Sequence, residues 1–120
     1  MSKSVLLVDD APFIRKMLGD ILKKNGYEII GEAQNGIEAV ELYQELNPDI
    51  VTMDITMPLK GGIEALEEIL EIDENATVIM CSAMGQEAYS KKAFEIGAKE
   101  FIIKPFKPDA VLKVFSTLED

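Results

Sequence analysis

Apolar residues fall along this chain in two alternating rhythms. Short continuous runs, of which Val5-Leu6-Leu7-Val8 is the first, have the pattern of strands covered on both faces. Between the runs, apolar residues recur every three or four positions, the spacing of one helix face. After the first run, Pro12 suits a first helical turn, Phe13, Ile14, Met17, Leu18, Ile21 and Leu22 carry the helix, and Asn25-Gly26 stops it. Tyr27 to Ala33 predicts a second strand. Asn35 predicts a cap, with Glu38 three residues on making a partial capping box. Ile37, Val40, Tyr43 and Leu46 predict the buried stripe of the second helix, with Leu42 at its margin.

Pro48 ends that helix, and Asp49 to Asp54 predicts a third, buried strand closed by a carboxylate. A loop with Pro58, Gly61 and Gly62 follows. Ile63, Leu66, Ile69, Leu70 and Ile72 predict a third helix, and Thr77 to Cys81 a fourth strand ending at Ser82-Ala83. The fourth helix, from about Gln86 to Ile96, is thin in apolar content and stops at Gly97. Glu100 to Ile103 predicts a fifth strand, and Val111, Leu112, Val114, Phe115 and Leu118 a last helix. Five strands alternating with five helices predict a single α/β domain over residues 1–120: one doubly wound parallel sheet with helices on both faces and right-handed crossovers. Such a sheet binds ligands outside the carboxyl ends of its strands.

Composition narrows the classes. With 120 residues, 48% hydrophobic and 28% charged, the chain is ordinary for a soluble domain. No run approaches the roughly 18 apolar residues of a membrane span, and residues 1–10 lack the look of a signal peptide. The single Cys81 excludes an internal disulfide, fits the cytoplasm and is expected to be a packed thiol. The absence of His removes His metal sites and His bases. A net charge of -10 argues against a nucleic-acid partner. The charge is uneven: residues 1–85 hold 6 basic and 16 acidic side chains, residues 86–120 hold 6 of each. The last third is therefore the expected docking surface, although plain solvated faces account equally for the charge alone.

The candidate chemistry falls at the strand ends: Asp9 and Asp10 after the first, Asp54 closing the third, Ser82 after the fourth and Lys104 after the fifth. Three carboxylates in one cleft repel, by about 4 kcal/mol per pair at 4 Å and an effective dielectric of 20, and a hard cation such as Mg²⁺ relieves this. Lys104 is a compact cation able to pair with Asp54 or with a phosphoryl group, and Ser82 is a hydrogen-bond donor. A carboxylate nucleophile, a metal, a cation and a hydroxyl are the parts needed for in-line phosphoryl transfer onto Asp54. Singly, each residue reads as a turn residue or helix cap; the joint placement carries the functional reading.

With Leu7-Val8-Asp9-Asp10, Met53-Asp54-Ile55-Thr56-Met57-Pro58, Cys81-Ser82-Ala83 and Phe101-Ile102-Ile103-Lys104-Pro105-Phe106, the chain resembles, end to end, the response-regulator receiver domains of two-component signalling. More narrowly it resembles their stand-alone chemotaxis branch. The resemblance implies a flavodoxin-like fold with strand order 2-1-3-4-5. It implies that Asp54 accepts a phosphoryl group from a phosphohistidine of a partner kinase, and that Asp9, Asp10, Asp54 and the Thr56 backbone carbonyl hold Mg²⁺. Ser82 and Lys104 are then expected to contact the phosphoryl group, Phe101 to be the aromatic switch, and Thr56 and Met84 to tune dephosphorylation. The expected enzyme activity is limited to the chain's own phosphorylation and dephosphorylation. The face of the fourth helix, fifth strand and fifth helix is expected to meet the flagellar motor switch, with a phosphatase as a further partner and the chain monomeric. No output domain is expected, so the output is expected to be another protein.

Two positions depart from the commonest family pattern. Phe101 replaces the Tyr of many chemotaxis members, so no phenolic hydroxyl can signal. Leu59-Lys60-Gly61-Gly62 lacks the usual acidic or amide residue before the second glycine, from which a looser loop is expected. The rivals are a small flavodoxin-like cofactor binder, a metal-dependent Asp phosphatase, and a receiver in another relay or controlling a diguanylate cyclase or kinase. The first is disfavoured by carboxylates where a phosphate loop belongs, and the second by the lack of a separate general acid and cap.

Overall fold

The computed structural model describes residues 3–118. Its elements alternate along the chain as β1 (Ser4–Val8), α1 (Pro12–Lys24), β2 (Glu28–Ala33), α2 (Gly36–Leu46), β3 (Ile50–Asp54), α3 (Gly62–Ile72), β4 (Val78–Ser82), α4 (Glu87–Ile96), β5 (Glu100–Ile103) and α5 (Pro108–Ser116). The strands pair in the order β2-β1-β3-β4-β5, all parallel. This is the order that the resemblance implied, and element boundaries agree with the sequence pattern within two residues except at the last helix, which starts three residues before Val111 and ends before Leu118.

Because side chains alternate across a strand, each buried strand feeds two cores. Leu6, Val8, Val51, Met53, Val78 and Met80 face a core completed by α2, α3 and α4. Val5, Leu7, Ile50, Ile79, Cys81 and Ile102 face a second core, completed by Leu18, Leu22, Val111 and Phe115 of α1 and α5. Both faces of the sheet are covered, which is why the strands read as continuous apolar runs.

The stripe of α2 differs from expectation. Ile37 and Leu46 are exposed, and the buried side is Gly36, Ala39 and Tyr43, with Val40 and Leu42 packed at its edge. Small residues let the helix approach the sheet closely, so the apolar count misplaces the face. Asn35 caps this helix through the Glu38 N–H at 2.9 Å, but Glu38 reaches back to the Gln34 N–H at 3.1 Å and not to Asn35 itself.

The loop after β3 is also not loose. Lys60 forms an ion pair with Glu68, and its carbonyl accepts from the Gly36 N–H at 2.9 Å. Gly62 donates to the Ile55 carbonyl at 2.8 Å, and a Cβ at Gly62 would collide with the Asp54 carbonyl oxygen. The unusual Lys60 thus ties the loop to α3 and α2.

Candidate functional site

Asp9, Asp54, Ser82 and Lys104 sit at or one step beyond a strand end, Asp10 one step further, and the ladder hydrogen bonds explain how. Asp9 N–H donates to the Ala33 carbonyl at 3.0 Å, which extends β1 against β2. Asp54 is the last residue of β3, opposite Cys81. Lys104 N–H donates to the Ser82 carbonyl at 2.8 Å, which extends β5 against β4. The parallel sheet therefore brings residues from four separate stretches, after β1, β3, β4 and β5, to one edge.

Asp9 and Asp54 are buried and Asp10 is exposed. Each of the three offers a carboxylate oxygen, and these oxygens lie within 4.8 Å of one another. Lys104 Nζ donates to Asp9 Oδ2 at 2.7 Å and to Asp54 Oδ1 at 3.1 Å. One lysine against three carboxylates leaves the cluster short of positive charge. Oxygen ligands around Mg²⁺ lie about 3–4 Å apart, since each is roughly 2.1 Å from the ion. The donors are therefore of the right kind, and near the right spacing, for a hard divalent cation.

Electrostatics agree. Burial raises the Asp54 carboxyl above its ordinary value, the charge of Asp9 adds to this and Asp10 adds less, while the hydrogen bond and charge of Lys104 pull the other way and lose. Burial alone would lower Lys104, but its bonds to Asp9 and Asp54 outweigh that and hold it above the usual lysine value. The site thus keeps a firm cation beside a carboxylate that is costly to ionise, and added positive charge would ease that cost. Cys81 lies beneath, fully covered, with burial pushing its thiol up; it is a packed thiol, as its apolar surroundings predict.

The remaining residues spread outward. Ser82 is buried at the end of β4. Thr56 and Met84 are exposed on the two loops beside it. Phe101 is half-buried and meets Phe94 of α4 edge-on at 5.4 Å. Ser82 and Phe101 line one cavity of about 370 Å³, together with Met84, Ser90 and Phe94. The Ser90 hydroxyl is buried there without a hydrogen-bond partner.

Two residues went unnoticed in the sequence. Arg15 on α1 donates to the Asp9 carbonyl at 2.6 Å and to Glu32 at 2.8 Å, so it fixes the backbone that carries Asp9. Its position six residues after Asp9, on the first helical turns, was the available signal. Gln86 joins the Thr56 hydroxyl to the Ala83 N–H, and no spacing rule flags it.

The family profile of the response regulator receiver domain matches residues 5–116. The chain is 60% identical to a chemotaxis protein CheY of Thermotoga maritima over 116 residues, 97% of each chain. It is 55% identical to a chemotaxis protein CheY of Bacillus subtilis, covering 97% of each. Among solved structures, it is similar to a CheX–CheY complex with BeF3 and Mg²⁺ from Borrelia burgdorferi, with a TM-score of 0.92 and 45% identity over 97% of this chain and 88% of that one. With its acidic cluster, bridging lysine and strand order in agreement, the chain belongs to the response regulator receiver domain family.

Proposed function

We propose that residues 1–120 work as one receiver domain of chemotaxis signalling, with Asp54 as phosphoryl acceptor. The observation that carries this is Lys104 bridging Asp9 and Asp54 beside a third carboxylate, all at one sheet edge. A carboxylate oxygen of Asp54 bonds to phosphorus as the P–N bond of a phosphohistidine on a partner kinase breaks. The electron pair of that bond returns to the imidazole nitrogen. Asp9, Asp10, Asp54 and the Thr56 carbonyl would hold Mg²⁺, which when bound supplies positive charge against the phosphoryl oxygens. Lys104 keeps its proton and shifts from carboxylate towards phosphoryl oxygen; Ser82 donates its hydroxyl to the same group.

Met84 cannot donate a hydrogen bond to an attacking water, so in this reading it, with Thr56, sets a slow loss of the phosphoryl group. The output is the face of α4, β5 and α5, which meets a flagellar motor switch protein when Phe101 moves inward. A chemotaxis histidine kinase and a phosphatase are the other partners, and the cytoplasm is the site of action. The chemotaxis relatives support the pathway, and the CheX complex of the Borrelia relative supports a partner that meets the loaded form. Among the described residues no helix is long and apolar enough to cross a membrane.

The test is loading with a small phosphodonor and Mg²⁺, followed by peptide mapping of the acyl phosphate. The label is expected on Asp54, lost in Asp54→Asn and reduced in Asp9→Asn. A label on Asp9 or Asp10 would overturn the assignment.

A further inference from the structure

One side chain joins the loops that leave β3 and β4. Gln86 accepts the Ala83 N–H at 2.7 Å and donates to the Thr56 hydroxyl at 3.0 Å. The orientation of its amide is settled by chemistry: a backbone N–H only donates, so the Gln86 oxygen faces Ala83 and the nitrogen faces Thr56. Strand register says what lies beneath. Asp54 stands opposite Cys81, and Thr56 and Ala83 are each two residues further along their chains. The bridge therefore ties together the loops leaving β3 and β4, next to the Asp54 carboxylate.

Gln86 occupies the N-cap position of α4, and capping would be the plain explanation. Its side chain makes no capping hydrogen bond to the helix; it points back across the loops instead. A phosphoryl group on Asp54 brings three anionic oxygens that need donors. Lys104 and Ser82 supply two at the strand ends. The next N–H along the chain past Ser82 is that of Ala83, and Gln86 already holds it.

We propose that Gln86 is a positioning residue, a latch that withholds the Ala83 N–H until an anion at Asp54 displaces it, and so sets how readily Asp54 is loaded. This deepens the reading of Asp54 as phosphoryl acceptor and rests on it. Loading exchanges a neutral hydrogen bond for a charge-assisted one, which is stronger, but the exchange first gives up the bonds of Gln86. Removing the latch therefore makes loading easier. Thr56 shares the effect, because its hydroxyl anchors the far end.

The experiment titrates beryllofluoride, a phosphoryl mimic, into Mg²⁺-saturated protein and follows the Asp54 adduct and the Ala83 amide by NMR. Gln86→Met keeps the length and loses both bonds; Gln86→Ala is the second variant, and melting curves confirm that both fold. Half-saturation should fall about threefold to tenfold in either variant, the effect of releasing bonds of ordinary net strength. In a Thr56→Val background, Gln86→Met should add less than it does alone, because the two groups share one bridge. The Ala83 amide of the free protein should move in both variants, which a change confined to the helix start would not produce. Equal half-saturation in wild type and folded Gln86→Met overturns the latch while leaving Asp54 as acceptor. If wild-type protein takes up no beryllofluoride, the acceptor reading itself falls, and the latch with it.

Discussion

Two helices on the same face of the sheet, α3 and α4, are held very differently. On α3, Ala65, Leu66 and Ile69 are wholly buried, and the loop before it is tied down through Gly62 and Lys60. On α4 only Ser90 and Ala93 are buried, Tyr89 and Phe94 are exposed, and beside the Phe94–Phe101 ring contact a cavity of about 370 Å³ is lined by the helix and β5. A packed helix holds its loop in place, and a helix beside a void costs little to move. The Asp54 side of the edge is thus rigid and the Ser82 side is adaptable, which suits the role proposed above, a fixed acceptor beside a segment that reports what is bound.

The sharpest way to break this comparison is to truncate one apolar residue on each helix. Leu66→Ala removes a fully buried side chain and should cost about 2–5 kcal/mol. Phe94→Ala removes a ring that is 41% exposed and already borders a void, and should cost under about 2 kcal/mol despite deleting more atoms. Urea denaturation measures both. Equal costs would mean that α4 is as firmly seated as α3.

The second test asks whether the adaptable side responds to the rigid one. Phe101→Ala should leave loading of Asp54 nearly intact and weaken the response of α4, with a coupling of about 1–3 kcal/mol lost. Hydrogen exchange of the α4 amides, with and without beryllofluoride and Mg²⁺, reads this. The ring is half-buried and edge-on to Phe94, so it has somewhere to go. An undiminished response in the folded variant would make Phe101 core filling alone.

How far the sequence was legible follows the same division. Strand ends and the Asp9, Asp10, Asp54, Ser82 and Lys104 set were readable, because continuous apolar runs mark buried strands and topology sends their ends to one edge. The face of α2 was not, since Ala39 and Gly36 contribute close approach and little apolar signal. Lys60 read as a departure that loosens its loop, because its partners, Glu68 and Gly36, are fixed only by tertiary packing. Gln86 was invisible for the same reason: a glutamine before a helix is ordinary, and its two contacts, one of them 30 residues away, exist only in the fold.

The third test concerns charge on the rigid side. The Asp54 carboxyl is raised chiefly by burial and then by Asp9, so the folded state holds its proton more tightly than the unfolded state does. The stability this contributes is full below the ordinary carboxylate value and is lost as pH rises through the raised folded value. At neutral pH and without divalent metal, Asp54→Asn should therefore melt above wild type. The gap should close as pH falls towards the ordinary Asp value. Mg²⁺ should narrow it from the other side, by stabilising wild type more than the variant; at about 100 times its Kd a ligand adds about 2.7 kcal/mol. A gap that is independent of both pH and Mg²⁺ would place its origin outside the carboxylate cluster.

The smallest expected effect belongs to Ser90, and it tests the adaptable side at its least satisfied atom. The hydroxyl is buried beside the cavity with no hydrogen-bond partner, although 6% of the residue remains exposed. A hydroxyl buried in that way costs about 1–3 kcal/mol in proteins, and alanine is also the better helix former by a few tenths of a kcal/mol. Against this, the smaller side chain enlarges a void that already exists and so loses few contacts. Ser90→Ala should therefore stabilise the fold, by about 0.5–1 kcal/mol, where the same truncation at a bonded serine would destabilise it. Paired urea titrations of wild type and variant resolve this, since an unchanged slope assigns the shift to stability alone. If α4 is held where it is by packing alone, Ser90→Ala should also leave the beryllofluoride response of the helix in place. A loss of stability in Ser90→Ala would show that the hydroxyl has found a partner and that the α4 side is better satisfied than its geometry implies.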